Sequence, residues 1–433
     1  MKTPFILKPV VGLVAMLAVA ASAHAIDLKA EAVPGEFVVK LKQNINPNQM
    51  QLMANSLGSS GAEVISKAGK LLLVKRNALE TASYSIASLQ NNEMVEYAEP
   101  NYIFNALNVP NDPLLPQLWG LINEGQNVGA MSAGTPDMDI DAEKAWAITT
   151  GSDDVVVAVI DTGVDHTIPD LAPNMWVNEA EMNGEEGVDD DGNGFVDDIY
   201  GYDFANDDGD PMDDHGHGSH CSGTIGARGN DGAGIVGVAW NVKIMGVKFL
   251  TASGSGTLAN AVKSIDYARE NGADIMSNSW GGGPRTDALY EAIQRAKDAG
   301  IVFVAAAGNH KANNDESPTY PANYEVENVI AVAAINNKGQ LASFSCYGRE
   351  TVHVAAPGVE ILSTTPDGFK SWRGTSMATP HVSGVAALLL SKEPNLTPAE
   401  VRERIIFSAR PKSYLRNKVA SNGIVNAYHA LMN

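Results

Sequence analysis

The sequence of 433 residues predicts an α/β domain with a mostly parallel central sheet, preceded by a small α+β unit. Three observations predict this fold class. An uninterrupted run of apolar, mostly β-branched residues at 155–160 is typical of a strand buried on both faces. Strand-like and helix-like segments alternate from Leu114 onward, as in parallel sheets with crossover helices. The segment 382–390 is almost entirely apolar, which indicates a helix inside a large domain.

The N-terminus has the three parts of a secretory signal peptide. Lys2 supplies the positive charge, residues 10–21 are apolar, and Ala23-His24-Ala25 is an A-x-A cleavage site. We therefore expect residues 1–25 to be removed and the protein to be secreted. A membrane anchor is the alternative, but the apolar run is short for a span, which needs about 20 residues.

A small unit follows the signal peptide. Three segments alternate like strands and one has helical spacing: residues 36–42, 71–75 and 95–102, and residues 48–57. A polar segment with two prolines, residues 105–113, is then expected to form the boundary to the larger domain. We therefore assign residues 26–109 to the small unit and residues 110–433 to the larger domain.

The larger domain alternates strands with helices. Predicted strands are residues 155–160, 242–248, 275–279, 301–306 and 329–334, and predicted helices are residues 258–269 and 289–299, with further helices after Ser376 and Thr397. Pro380 is expected in the first turn of its helix, where its missing N–H breaks no intrahelical bond. Thr397 and Glu400 form a capping box that starts the following helix. In such domains, functional residues lie at the carboxyl ends of strands.

Three short motifs supply a nucleophile, a base and an acid. They are Asp161-Thr162-Gly163 after a buried strand, His217-Gly218-Ser219-His220 at the start of a small-residue helix, and Gly374-Thr375-Ser376 before the buried helix. A serine needs a base to take its proton, and the base needs an acid to fix its tautomer. Asp161, His217 and Ser376 are therefore a candidate triad, although Ser376 considered alone could be a helix cap.

The order Asp, His, Ser and the residues around each member resemble the subtilisin-like serine proteases, or subtilases. The resemblance extends over nearly the whole chain. It implies a three-layer subtilisin-like domain and a secreted serine endopeptidase that acts on proteins and peptides. It also implies that the small unit is a ferredoxin-like inhibitory propeptide, which the enzyme cleaves off itself within residues 105–113. On fold analogy alone, an accessory domain is the alternative.

The same resemblance implies the remaining residues of the active site. Asn309 and the backbone N–H of Ser376 are expected to donate hydrogen bonds to the oxyanion, although Asn in a turn is usually structural. The residues implied to bind substrate are Ser279, Trp280, Gly281, Ala306, Ala307 and Gly308. Subtilases often have Leu at the position of Trp280, so the preference of the pocket for the residue before the scissile bond stays open.

An acidic run between the first two motifs predicts calcium binding. Residues 189–198 begin with the D-x-D-x-N-G pattern of a calcium loop, in which alternate oxygens converge on one hard cation. The candidate ligands are Asp189, Asp191, Asn193, Asp197 and Asp198. The twelfth position is Tyr200 where an EF-hand has Glu, so Asp197 or Asp198 would have to close the site.

Two further calcium sites are implied by the resemblance. A loop similar to one in thermitase-type subtilases would bind through Asp203, Asp208, Asp210 and the carbonyl of Met212, and a second site would use Asp170 and Asp231. A solvated acidic loop is the alternative at each site. Carboxylates packed this closely repel one another unless a cation is bound, which favours calcium.

Composition and the remaining residues exclude other classes. The net charge of −21 argues against nucleic acid or an anionic membrane as a partner.

Cys221 and Cys346 are compatible with one disulfide or two free thiols. A lipase would need Gly-x-Ser-x-Gly, but Ala378 stands at the second glycine. A catalytically inactive calcium-binding relative is the runner-up, although no triad or oxyanion residue is missing. We expect a monomer.

Overall fold

The computed structural model describes residues 32–43, 45–46, 50–77, 80–103 and 109–432. The predicted signal peptide at residues 1–25 and part of the predicted boundary segment lie outside the described residues. The chain forms two compact units, Met1–Asn105 and Ala106–Asn433. Within the described ranges, no helix has the length and apolar character needed to cross a membrane.

The described residues of the first unit form a four-stranded antiparallel sheet with two helices, in the strand order β2-β3-β1-β4. Its elements are β1 Ala32–Leu41, α1 Met50–Leu57, β2 Gly61–Ser66, β3 Leu71–Lys75, α2 Ala82–Gln90 and β4 Val95–Tyr102. This arrangement confirms the ferredoxin-like α+β prediction. The sequence did not reveal β2, whose Ile65 is exposed, or α2, which buries only Ile86 and Leu89 among its long apolar side chains.

The second unit is built on a nine-stranded sheet in the order β14-β15-β11-β10-β9-β8-β5-β7-β6. Every pairing is parallel except that of β14 with β15, which confirms the predicted sheet type. The elements are α3 Ala142–Trp146, β5 Gly151–Asp161, α4 Glu179–Met182, β6 Gly201–Asp203, α5 His217–Gly226, β7 Asn241–Lys248, α6 Leu258–Glu270, β8 Ile275–Asn278, α7 Asp287–Asp298, β9 Val302–Ala306, β10 Val329–Ile335, β11 Val354–Pro357, β12 Ile361–Thr365, β13 Gly368–Trp372, α8 Thr375–Lys392, α9 Pro398–Ser408, β14 Arg410–Pro411, β15 Gly423–Ile424 and α10 Ala427–Met432.

Helices cover both faces of this sheet and produce three layers. Successive side chains of a strand point to opposite faces, and β5 shows the consequence. Val157 and Val159 join a core with α5 and α8. Ala158 and Ile160 join a second core with α6 and α7. The strand is therefore buried on both sides, as its apolar run predicted.

The prediction for Pro380 was wrong in position. Pro380 is the sixth residue of α8, beyond the first turn, so the helix lacks the hydrogen bond from residue 380 to the carbonyl of Ser376. That carbonyl instead accepts hydrogen bonds from Ser279 Oγ at 2.9 Å and from Cys221 Sγ at 3.5 Å. The proline thus leaves the Ser376 carbonyl open to side chains of neighbouring elements.

Candidate active site

The candidate residues lie along one edge of the sheet. β5, β8 and β9 are neighbours in the sheet and run parallel, so their carboxyl ends share an edge. Asp161 ends β5, Ser279 follows β8, and Asn309 follows β9 by three residues. His217 is the first residue of α5, and Ser376 is the second residue of α8.

Asp161 and His217 form a direct pair. Asp161 is fully buried, and its Oδ1 lies 2.7 Å from His217 Nδ1. The same Oδ1 accepts the backbone N–H of Thr162 at 2.7 Å. Gly218 permits this approach, because a Cβ at that position would lie 2.0 Å from the carbonyl oxygen of Gly163. The glycine after His217 therefore sets how closely α5 packs against the end of β5.

The carboxylate of Asp161 also controls the protonation of His217. Burial lowers the pKa of His217, but the charge of Asp161 and its hydrogen bond, with a smaller contribution from Asp213, outweigh burial. The pKa therefore lies above its ordinary value. An imidazole held in this way can accept a proton and stabilise the resulting positive charge.

Ser376 lies at the amino end of the buried helix α8. Its Oγ donates a hydrogen bond to the backbone carbonyl of Ser279 at 2.9 Å. Ser376 and His217 line the same cavity of about 480 Å³. Catalytic hydrogen bonds are often poorly aligned until substrate is bound, so this rotamer is compatible with a nucleophile.

Asn309 is oriented by its neighbour in the helix. Its Oδ1 accepts hydrogen bonds from the backbone N–H of Thr375 at 2.8 Å and from Thr375 Oγ1 at 3.0 Å. The oxygen side of the amide is thus occupied, and Asn309 lines the cavity with Ser376. This leaves the Nδ2 donor available beside the first-turn amides of α8, which have no intrahelical acceptor.

The predicted substrate-binding residues form two walls beside Ser376. Ser279 is buried and Trp280 packs against Phe249, with ring centroids 4.9 Å apart. On the other side, Ala306 and Ala307 are buried, and Gly308 has a φ of 109°, which favours glycine. The two predicted segments are therefore on the same edge of the sheet as the candidate triad.

Thr319, which lies between these walls, was not identified from the sequence. A Cβ on Gly281 would lie 3.6 Å from Thr319 Cγ2, and a Cβ on Gly308 would lie 3.2 Å from the same methyl. Gly282 also donates its N–H to the carbonyl of Tyr320 at 3.0 Å. No motif marks Thr319 in the sequence, so only the fold reveals its position.

The first acidic loop brings together some of the predicted ligands. One carboxylate oxygen each of Asp189, Asp191 and Glu181 lie within 4.8 Å of one another. Glu181 was missed, because it belongs to α4 and its burial cannot be read from local pattern. Asn193 Nδ2 links Asp191 to Asp198 at 3.0 Å each, so Asp198 is part of the same network.

The carboxylate of Asp197 has other partners, although its backbone N–H donates to Glu181 Oε2 at 2.9 Å. Its two carboxylate oxygens accept the backbone N–H of Gly187 at 3.1 and 2.9 Å. Asp197 instead lines a separate cavity of about 670 Å³ with Asp208 and Asp210. Asp203 and Met212 were predicted to bind the same ion as Asp208 and Asp210, but they do not line that cavity. Asp203 Oδ1 accepts the backbone N–H groups of Ala205 and Asn206. Hydrogen bonds nevertheless link the residues of the predicted loop: the N–H of Asp203 donates to the carbonyl of Asp208, that of Asp210 to Asp208 Oδ1 at 3.1 Å, and that of Met212 to Asp210 Oδ1 at 3.2 Å.

Asp112, which the sequence did not identify, is a buried carboxylate that interacts electrostatically with Asp170. Asp170 Oδ2 accepts the N–H of Ile235 at 2.8 Å, and Asp112 Oδ2 accepts the N–H of Asn230 at 2.8 Å. Burial raises the pKa of both carboxyl groups, and the charge of Asp231 raises both further. Asp112 Oδ1 is buried without a hydrogen-bond partner among the described residues. A buried carboxylate oxygen with no partner, whose group interacts electrostatically with other carboxylates, is the kind of group that a cation would stabilise.

Both cysteines are free thiols. Of the two alternatives left open by the sequence, the structure therefore has two free thiols and not a disulfide. Burial raises the pKa of the Cys221 thiol, so the sulfur next to the candidate triad stays protonated. A thiol is a far weaker nucleophile than a thiolate, and Cys221 is not the attacking group.

This fold and this constellation define a serine hydrolase of the subtilisin type, and comparison with known proteins gives the family. Residues 152–428 match the subtilase family, and residues 19–101 match the fervidolysin N-terminal prodomain. The chain therefore belongs to the subtilase family and is a serine endopeptidase with an N-terminal prodomain.

Individual relatives cover most of the chain. A thermophilic serine proteinase from Bacillus sp. (strain AK1) is 38% identical over 413 residues, which are 93% of this chain and 88% of that protein. Thermitase from Thermoactinomyces vulgaris is 39% identical over 293 residues, 67% of this chain and 93% of thermitase. A solved structure described as proteases from Pseudoalteromonas arctica PAMC 21717 has a TM-score of 0.59 at 30% identity, covering 74% of this chain and 98% of that one.

Proposed function

We propose that Ser376 is the nucleophile, that His217 is its general base and that Asp161 orients the imidazole. Ser376 attacks the carbonyl carbon of the scissile peptide bond while His217 takes its proton. His217 then returns the proton to the leaving amine, and a water molecule repeats the sequence to hydrolyse the acyl-enzyme. The observation that carries this proposal is the 2.7 Å contact between buried Asp161 and His217, which lines one cavity together with Ser376.

The negative charge of the tetrahedral intermediate needs donors that are already in position. We assign this role to Asn309 Nδ2 and the backbone N–H of Ser376. The support is that Thr375 occupies Asn309 Oδ1, and that Ser376 lies at the positive end of α8. The peptide before the scissile bond would pair with Ser279, Trp280 and Gly281, with Thr319 closing the space between that wall and Gly308.

Replacing Ser376 tests the assignment. Ser376→Ala should reduce kcat/KM on a peptide substrate by about 10⁶-fold, the scale seen for the corresponding loss in subtilisin, and abolish labelling by a fluorophosphonate. Ser391→Ala is the matched control, because Ser391 is in the same helix, donates to the carbonyl of Ala387 and does not line the cavity. If Ser376→Ala kept more than a few per cent of activity, the nucleophile would be another residue. Unlabelled wild-type protein would favour an inactive calcium-binding relative.

The same variant tests maturation. We propose that residues 1–25 direct secretion and that residues 26–109 act as an inhibitor and folding aid until the enzyme cleaves the chain within residues 105–113. The match to a subtilase prodomain supports this sequence of events. Ser376→Ala should therefore accumulate as a precursor of unchanged length in a protease-free system. Normal processing of this variant there would show that another protease makes the cut.

We further propose that calcium stabilises the peptidase domain. Glu181, Asp189 and Asp191 would hold one ion, and Asp112 with Asp170 and Asp231 would hold another. Bound calcium supplies the positive charge that offsets carboxylate repulsion and would have no part in bond cleavage. The substrates are proteins or peptides, the propeptide is an internal partner, and the protein acts as a secreted monomer without nucleic acid or membrane.

A further inference from the structure

Part of the wall of the cavity that contains His217 and Ser376 is formed by the hairpin of β12 and β13 and the residues that flank it. Glu360, Ser371, Trp372 and Arg373 line this wall. Arg373 follows the last residue of β13 and precedes Ser376 by three residues. The segment 279–281, which is proposed to bind the peptide before the scissile bond, does not line this cavity.

The hairpin is held firmly to the helix that carries His217. His220, one turn after His217, has its Nε2 at 3.0 Å from the carbonyl of Ile361 in β12 and at 3.1 Å from that of Lys370 in β13. The indole of Trp372 stacks on His220, with centroids 4.7 Å apart and planes 7° apart. It lies 6.2 Å from the ring of His217. The wall therefore has a fixed position relative to the catalytic base.

The two charged residues of the wall differ in their contacts. Glu360 Oε2 accepts the hydroxyl of Ser371 at 2.9 Å, and the backbone carbonyl of Glu360 accepts Trp119 Nε1 at 3.1 Å. Arg373 is exposed and has no hydrogen bond or ion pair with any other described residue. An unpaired guanidinium with five donors is thus presented at the catalytic cavity of a chain whose net charge is −21.

The position of this wall identifies the part of the substrate that it would meet. His217 gives its proton to the leaving amine, so the peptide after the scissile bond leaves from the side of the cavity where His217 lies. The hairpin is on that side, because the Trp372 ring is 6.2 Å from the His217 ring. We propose that Arg373 binds a carboxylate in this leaving segment and gives the protease a preference for Asp or Glu there. The proposal rests on the proposed function, and it specifies a substrate feature that the triad alone does not determine.

Matched peptides test the preference. Substrates identical except for Asp, Asn or Lys at the first or second residue after the scissile bond would be compared by kcat/KM. For one exposed charge pair, we expect wild-type enzyme to favour Asp over Asn by about twofold to fivefold at one of these positions. The ratio should fall towards one as NaCl is raised to about 1 M, where the screening length is ~3 Å.

Variants separate Arg373 from the rest of the hairpin. Arg373→Gln should bring the Asp to Asn ratio to about one, and Arg373→Glu should favour Lys over Asp. Lys370→Gln is the control: it removes one positive charge from β13, the strand just before Arg373, but Lys370 pairs with Asp367 at 3.0 Å and does not line the cavity. It should leave the ratio unchanged. Glu360→Gln should keep or increase the preference for Asp, since it removes a competing carboxylate.

The outcomes distinguish this proposal from the proposed function. If Ser376 is labelled by a fluorophosphonate and the Asn peptides are cleaved, but wild type, Arg373→Gln and Arg373→Glu share one Asp to Asn ratio, the role of Arg373 is overturned and the triad stands. If no peptide is cleaved and Ser376 is not labelled, the proposed function fails and this proposal fails with it.

Discussion

The catalytic edge and the acidic segment at residues 178–214 are adjacent in the chain but are held together differently. Asp161 and Ser376 belong to a strand and a helix whose apolar residues pack into the core. In the acidic segment, by contrast, Asp189 accepts backbone amides of its own loop, and Glu181 accepts those of Asp190, Asp191 and Asp197. Packing of the sheet and helices positions the first region. The second also packs Phe195, Tyr202 and Phe204 into the core, but it carries in addition a cluster of carboxylates whose repulsion we expect a cation to offset.

The largest effect expected in the catalytic region, after loss of Ser376, is that of Asp161→Asn. The amide keeps the size of the side chain but lacks the charge, so kcat at pH 7 should fall by ~10⁴-fold. Wild-type activity should fall as the pH drops through the raised pKa of His217, because the protonated imidazole cannot accept a proton. Without the Asp161 charge, burial lowers that pKa, and the acid limb of the pH profile should shift to lower pH.

Asp154→Asn is the control for this variant, because Asp154 is exposed near the start of the same strand. It should change neither kcat nor the pH profile. If the acid limb did not shift in Asp161→Asn, Asp161 would not set the pKa of His217. The catalytic region would then lack the fixed pair of charged groups that distinguishes it from the acidic segment.

The two regions also differ in what the sequence could predict. Asp161, His217 and Ser376 were identified because each lies at the end of a strand or the start of a helix, and parallel topology brings such ends to one edge. Glu181 and Asp112 were missed because their contacts come from other parts of the chain. Loop geometry likewise determines the contacts of Thr319, the position of Arg373 at the cavity and the hydrogen bonds of the Asp197 carboxylate, so none of these could be predicted from local pattern.

The oxyanion donors give the next effect in size. Asn309→Ala removes one donor and should lower kcat by ~10²–10³-fold with little change in KM. Asn309→Asp is the sharper variant, because it keeps the oxygen that accepts from Thr375 while replacing the Nδ2 donor with a second acceptor. Equal melting temperatures in the two variants and wild type, together with the loss of kcat, would assign Asn309 to catalysis. A loss in Asn309→Ala alone would indicate a structural role through Thr375.

Calcium tests the acidic region directly. An ion that binds only the folded protein adds about 2.7 kcal/mol per site when its free concentration is 100 times Kd. Excess chelator should therefore lower the melting temperature and increase autolysis. Glu181→Gln and Asp112→Asn should each reduce the response to calcium, whereas Asp367→Asn, in an exposed hairpin, should not. Equal melting temperatures in calcium and chelator, with no metal found by elemental analysis, would remove calcium from the account.

The smallest predicted effect concerns the link between the two regions. Lys248 is buried at the end of β7, and its Nζ donates to the carbonyls of Thr162 at 2.8 Å and Leu250 at 3.0 Å. It also pairs with Asp214 at 2.7 Å, three residues before His217, while its backbone carbonyl accepts the N–H of Phe204 in the acidic segment. Lys248 thus contacts the loop after Asp161, the loop before His217 and the acidic segment.

Asp214→Asn should weaken this link only slightly. The amide oxygen can still accept from Lys248, and Asp214 is half exposed, so we expect a loss of about 1 kcal/mol or less in unfolding free energy. Lys248→Met should cost more, because it leaves the carbonyls of Thr162 and Leu250 without their buried donor. If the acidic segment acts on His217 through Lys248, chelation should lower kcat well below the melting temperature in wild type and less in Lys248→Met. An equal fall in both would mean that the two regions are coupled by another route.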